Sequence, residues 1–176
     1  MSESYELLEL DWITLGAVGQ PGHRLFFLQA GQGPSVVTLK LEKVQVAAMV
    51  TWIARTLEDL PAPGPLPSQI TPEPFLDPEW VVGSLGGGYD IDTDRVLLIA
   101  TELTESSSDD DLPDDILDDS GAVARLGATR EQMAALAIQG TSLIASGRPP
   151  CPLCGYPLDP SGHACPRTNG HRPPSL

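Results

Sequence analysis

The same order of predicted elements occurs twice along this chain of 176 residues, and the repetition limits the folds open to it. In each half, three apolar segments of strand length precede a segment with helical periodicity. Pairing two such units would bury a sheet face of each, which predicts an α+β body of duplicated strand-strand-strand-helix units packed together. The strands are predicted near residues 12–16, 24–30 and 36–41 and near 80–83, 95–103 and 122–126, with helices over 43–60 and 129–146.

The two predicted helices also share sequence. Residues 45–49 read Gln-Val-Ala-Ala-Met, and residues 132–136 read Gln-Met-Ala-Ala-Leu. Coincidence is the alternative, because alanine-rich helices resemble one another, but the matched element order favours a duplication. Thr129 and Gln132 have the spacing of a capping box, and Gly147 is expected to form a left-handed C-cap.

Two segments separate these elements and define the predicted domains. A proline-rich linker over residues 61–78 joins unit one, residues 5–60, to unit two, residues 79–147. Unit two contains an acidic loop over residues 106–121; from Glu102 to Asp119 there are nine acidic side chains and no basic one. A solvated loop is favoured over a metal or basic-partner site, since the spacing of a calcium loop is absent. Residues 1–147 are the predicted body, and residues 148–176 are a separate tail.

All three cysteines of the chain lie in this tail. Cys151 and Cys154 flank two residues, and His163 and Cys165 follow within a span of 15 residues. Thiolates and an imidazole at this spacing suit tetrahedral zinc, which predicts one structural zinc ion in a zinc-ribbon-like module. The alternatives are reduced thiols without metal, and His171 in place of His163 as the fourth ligand. The tail has few apolar residues, so metal binding would supply its folding free energy.

The charge of the chain is uneven. The net charge is −14, which makes nucleic acid an unfavourable partner for the body, but Arg148, Arg167 and Arg172 make the tail locally basic. An odd cysteine number fits zinc in a reducing compartment better than a disulfide framework. The sequence has no apolar run of membrane-spanning length and no basic signal-peptide region at its start, so a cytoplasmic protein is expected.

The sequence offers little for catalysis. His23, the body's single histidine, lies in a predicted turn, and the glycines at 86–88 lack the lysine of a phosphate loop and are expected to form a bulge or hairpin turn. The favoured function is therefore a non-enzymatic interaction module that docks a protein partner. One alternative is a protein that binds a phosphorylated ligand or RNA through the basic tail, and a second is an enzyme with a site between the repeats. The oligomeric state is left open.

Several blocks of the sequence resemble a known family. They are residues 19–30, which begin Gly-Gln-Pro-Gly-His-Arg, residues 41–46, and residues 147–167, which contain Cys-Pro-Leu-Cys-Gly and His-Ala-Cys. The chain resembles the bacterial family named domain of unknown function 3090, in which an aromatic residue is expected in place of His171. The resemblance implies a repeat protein of unknown biochemical activity. It also implies genes for histidine-phosphatase-like and kinase-like proteins nearby, which suggests a link to phosphate metabolism or signalling.

Overall fold

A computed structural model describes residues 2–20, 22–68, 71–72, 77–104, 121–147, 149–156, 158 and 165–168. Apart from Gly121, the predicted acidic loop at 106–121 lies outside the described residues. The fold is α+β. Its elements are β1 (Tyr5–Leu7), β2 (Trp12–Val18), β3 (Leu25–Gln32), β4 (Ser35–Leu41), α1 (Lys43–Glu58), β5 (Trp80–Asp90), β6 (Arg95–Glu102), β7 (Val123–Ala128), α2 (Arg130–Ala145) and a short 3-10 helix (Pro166–Thr168).

All seven strands form one sheet, in the order β1-β7-β6-β5-β4-β3-β2. Strands β2, β3 and β4 form an antiparallel first triplet, and strands β5, β6 and β7 form an antiparallel second triplet. The two triplets join edge to edge where β4 runs parallel to β5, with Leu39 opposite Trp80 and Lys40 opposite Val81. The expectation that the halves pair through their sheet faces is therefore wrong. The first residues of β5 instead satisfy the free backbone groups along the edge of β4.

The N-terminal segment brings the two ends of the sheet together. β1 pairs in parallel with β7, whereas β2 pairs with β3 at the opposite end of the strand order. Only residues 8–11 separate β1 from β2. Within this connection, the Leu10 amide donates to the carbonyl of Gly127 in β7, and the Asp11 amide donates to the carbonyl of Gly31 in β3. The sheet must therefore curl until its ends meet, as in a barrel. The sequence did not predict β1, which has only three residues.

Both helices pack their apolar faces against the sheet and against each other. Thr129 and Gln132 form the expected capping box at the start of α2. Gly147 does not form the expected left-handed C-cap, because its φ is not positive; the C-cap residue is Ser146, whose amide donates to the carbonyl of Ser142. Within the described residues, neither helix is long and apolar enough to span a membrane. The buried helix residues are Val46, Met49 and Ile53 in α1 and Met133, Leu136 and Gly140 in α2.

The triple glycine at 86–88 lies inside strand β5, so the predicted hairpin turn there is wrong. The three glycines pair with Ile99, Leu98 and Leu97 of β6 in that order. The irregularity in the pairing of β5 with β6 lies closer to the start of β5, between Val82 and Ser84. The hairpin turns after Asp90, whose carboxylate accepts hydrogen bonds from the Asp92 amide and the Thr93 hydroxyl. Ladder pairing with β6 therefore overrides the turn preference of glycine.

The described part of the linker lies on the surface near α2 and over the first half of the sheet. Arg130 donates to the carbonyls of Pro61 and Ala62, and the Glu131 carboxylate accepts from the Gly64 amide at 2.7 Å. Further along, Pro72 lies against Gly16 of β2, beside the ring of Phe27. The outer face of the first triplet is therefore covered at this point by the chain's own linker.

Candidate metal centre

A tight turn after α2 positions the first two cysteines of the tail. The Gly155 amide donates to the carbonyl of Cys151 at 2.8 Å, and the Cys151 amide donates to the carbonyl of Tyr156 at 2.7 Å. Gly155 has a φ of 78°, a left-handed conformation that glycine adopts without the steric cost of a Cβ atom. This glycine lets the chain reverse directly after Cys154, as the Cys-Pro-Leu-Cys-Gly pattern predicts.

The turn brings three sulfur atoms together. The Sγ atoms of Cys151, Cys154 and Cys165 lie within 4.8 Å of one another, and the three residues form no disulfide. Cys151 and Cys165 are buried, and Cys154 is half-buried. Three thiolates bound to one tetrahedral ion at about 2.3 Å would stand about 3.8 Å apart. The spacing of the three sulfur atoms is therefore compatible with a bound metal ion.

Backbone amides point at two of these sulfur atoms. Burial raises the pKa of the Cys151 thiol, but hydrogen bonds from the amides of Leu153 and Cys154 and from the Cys154 thiol lower it, and the net pKa lies below its usual value. Burial raises the pKa of Cys154, against a hydrogen bond from the Tyr156 amide, and the thiols of Cys165 and Cys151 raise it further. Amide donors of this kind stabilise a thiolate, which is the form that binds metal.

The described residues contain three of the four predicted ligands. His163 lies outside the described residues, as do its competitor His171 and the arginines Arg148 and Arg172. Arg167 is exposed and lies two residues after Cys165. A backbone contact that the sequence did not indicate supports the turn, because the Leu158 amide donates to the carbonyl of Pro149.

His23 lies where the sequence placed it, in an exposed turn. Its amide donates to the carbonyl of Gln20, and its side chain is open to solvent. The neighbouring Arg24 donates to the hydroxyl of Ser146, at the end of α2. This turn therefore links the first triplet to the second helix.

The fold and the cluster together define an α+β protein with a cysteine centre that could hold a metal ion. The chain belongs to the family described as Protein of unknown function (DUF3090), which matches residues 5–165. The match includes both halves of the sheet and all three cysteines. Comparison with curated proteins and with solved structures gave no match.

Proposed function

We propose that this protein is a non-enzymatic interaction module whose tail is folded around one structural zinc ion. The observation that carries the proposal is the approach of three cysteine sulfur atoms to within 4.8 Å. His163 completes the set as the fourth ligand, by its spacing from Cys165. Sulfur and imidazole ligands favour zinc over the oxygen-preferring cations.

A structural role follows from the number of ligands. Four protein ligands leave no open position for water or substrate, whereas catalytic zinc keeps one position open. Metal ligation also removes the cysteine thiolates as nucleophiles. The zinc ion therefore holds the tail in one conformation and presents its basic surface, including Arg167.

Protein purified without added metal is expected to carry one zinc ion per chain, measured by elemental analysis. His163→Ala should lower the zinc content, and the matched variant His171→Ala should retain it, because His163 is the proposed fourth ligand. The opposite pattern would make His171 the fourth ligand. Iron at full occupancy, or protein without metal, would contradict the proposal.

We further propose that the body is a duplicated domain. The support is one interaction that occurs in both halves. Gln45, three residues after the N-cap of α1, accepts from the Glu42 amide and donates to the carbonyls of Val82 and Gly83. Gln132 stands at the same position of α2 and makes the corresponding three bonds, to Thr129, Leu10 and Asp11.

The body offers a partner protein the free edge of β5. Beyond Val81, β5 pairs with β6 on one side and with no strand of the described residues on the other. The corresponding edge of β2 is closed at Leu15, whose amide donates to the Gln139 side chain of α2. A free strand edge pairs readily with an extended segment of another protein.

Glycines make this edge accessible. A Cβ atom at Gly86 or at Gly88 would meet no atom of the described residues within 4 Å, so these residues leave the sheet face beside the edge open. On the helix side, the ring of Trp52 lies over Gly87. Glycine inside a strand is typical of sites where another backbone approaches closely. We infer that a partner segment adds to β5 beside α1.

Gly86→Lys is expected to reduce partner binding sharply, because a long charged side chain at a strand edge opposes further pairing. Pull-down from native lysate with each purified variant measures the effect. Val44→Lys is the matched control, since Val44 is 75% exposed on α1. If Gly86→Lys recovers the same partner in the same amount as the wild type, β5 is not the docking edge.

A further inference from the structure

The outer face of the second triplet contains a cleft that is separate from the cysteine cluster and from the edge of β5. Its volume is about 640 Å³. Pockets for small molecules have volumes of about 300–1,000 Å³. The floor is formed by Leu97 and Gly127, which lie opposite each other on β6 and β7, and the chain at Leu8 forms a wall against Gly127.

Two arginines line this cleft, at opposite ends of its floor. Arg95 begins β6, and Arg125 lies on β7 two residues before Gly127. Neither guanidinium has a hydrogen bond or an ion pair with another described residue. Asp94, the acid next to Arg95 in sequence, is instead paired with Arg130 at 3.1 Å. Both arginines are therefore available to a ligand, and long side chains from the two ends can converge above the floor.

Three acids share the cleft and restrict the chemistry of that ligand. Glu6 lies opposite Arg125 in the β1–β7 register, and Glu9 and Asp90 complete the set. Asp90 is already engaged by the Thr93 hydroxyl and the Asp92 amide, which lower its pKa. A bare inorganic anion would be repelled by the carboxylates of Glu6 and Glu9. A molecule with hydroxyl or amino groups beside its negative charge would instead donate hydrogen bonds to them.

The matching face of the first half of the sheet is covered in part by the linker. There, Pro72 of the linker lies against Gly16 and Phe27, and Thr38 and Gln29 of the same face are buried. The corresponding face of the second triplet is open and contains charged residues, among them Arg95 and Arg125. Among the described residues, the two arginines on this face have no partner that packing between the strands would supply.

We propose that this cleft binds a small organic anion that carries hydroxyl or amino groups. Arg95 and Arg125 hold the phosphate or carboxylate group by charge-assisted hydrogen bonds. Glu6 and Glu9 accept from the neutral donors of the same molecule, and Leu97 contacts its carbon skeleton. The site does not depend on the zinc ion or on the docking edge.

The experiment follows amide NMR signals of the full chain during titration with three probes that share a polyol skeleton. They are glucose 6-phosphate, gluconate and neutral glucose. The two anions distinguish a phosphate site from a carboxylate site, and glucose tests whether a charge is required. At least one anion should shift the amides of Leu8, Leu97 and Gly127, and glucose should not.

Arg95→Gln and Arg125→Gln should each weaken binding of that anion about tenfold or more, the usual loss with one charged hydrogen bond. The matched control Arg55→Gln, on the exposed surface of α1, should bind as the wild type does. The proposal is overturned if neither anion shifts these amides at about 10 mM, a concentration that reveals even millimolar dissociation constants. Equal binding of glucose, or unchanged binding in both cleft variants, would also overturn it.

Discussion

Alanine in place of Gln45 or of Gln132 is expected to lower the free energy of unfolding by about 2–3 kcal/mol at each position. Each side chain closes a capping box and donates to two successive backbone carbonyls, at 2.9 and 3.3 Å for Gln45 and at 2.9 and 3.1 Å for Gln132. Truncation leaves partly buried backbone groups without partners, which costs more than the net value of the bonds themselves.

The two substitutions are expected to lower the free energy of unfolding by equal amounts. The two glutamines share no partner, so the double variant should lose about 5 kcal/mol, the sum of the single losses. Urea unfolding of the full chain, followed by circular dichroism, gives all three values. Gln20→Ala, in an exposed turn, is the control and should change the stability little. If one glutamine proves dispensable, the halves do not share this interaction, and the proposed duplication loses its main support.

Local pattern predicted most elements of this fold. Six of the seven strands and both helices follow from apolar runs, turn residues and helical periodicity, because those signals are set within each element. The exceptions depend on distant partners. β1 exists because β7 offers it a ladder, and β5 continues through the glycines at 86–88 because β6 pairs with them. No local signal reports which strand lies beside β4.

The cysteine cluster and the cleft also differ in how far the local sequence predicts them. The cysteine cluster could be predicted because its ligands are close in sequence and their spacing is fixed by coordination geometry. The cleft could not, because Arg95 and Arg125 lie on separate strands and belong to no motif. Strand alternation carried a partial signal: Val96 and Leu98 are buried, which turns Arg95 and Leu97 to the opposite face. That both arginines line one cleft follows only from the β6–β7 register.

Loss of one of the proposed zinc ligands is expected to unfold the tail and leave the body intact. Cys165→Ser removes a buried sulfur from the cluster, so the variant should lose its zinc. In small zinc domains the metal contributes about 10–16 kcal/mol, and the tail has little apolar surface to replace that contribution. NMR signals of residues 149–156 should collapse toward unfolded positions, whereas the thermal unfolding of the sheet and helices should stay cooperative.

The body should tolerate this loss because its core is complete without the tail. The buried faces of α1 and α2 pack on the sheet through residues before 147, and the Ser146 cap already closes the end of α2. A chain ending at Gly147 should therefore unfold at nearly the same temperature as the full protein. Leu153→Ala is the matched control, since Leu153 is 50% exposed between two ligands and its loss should leave the zinc content unchanged. A truncated chain that melts without a cooperative transition would show that the tail belongs to the core, and that the zinc ion stabilises the whole protein.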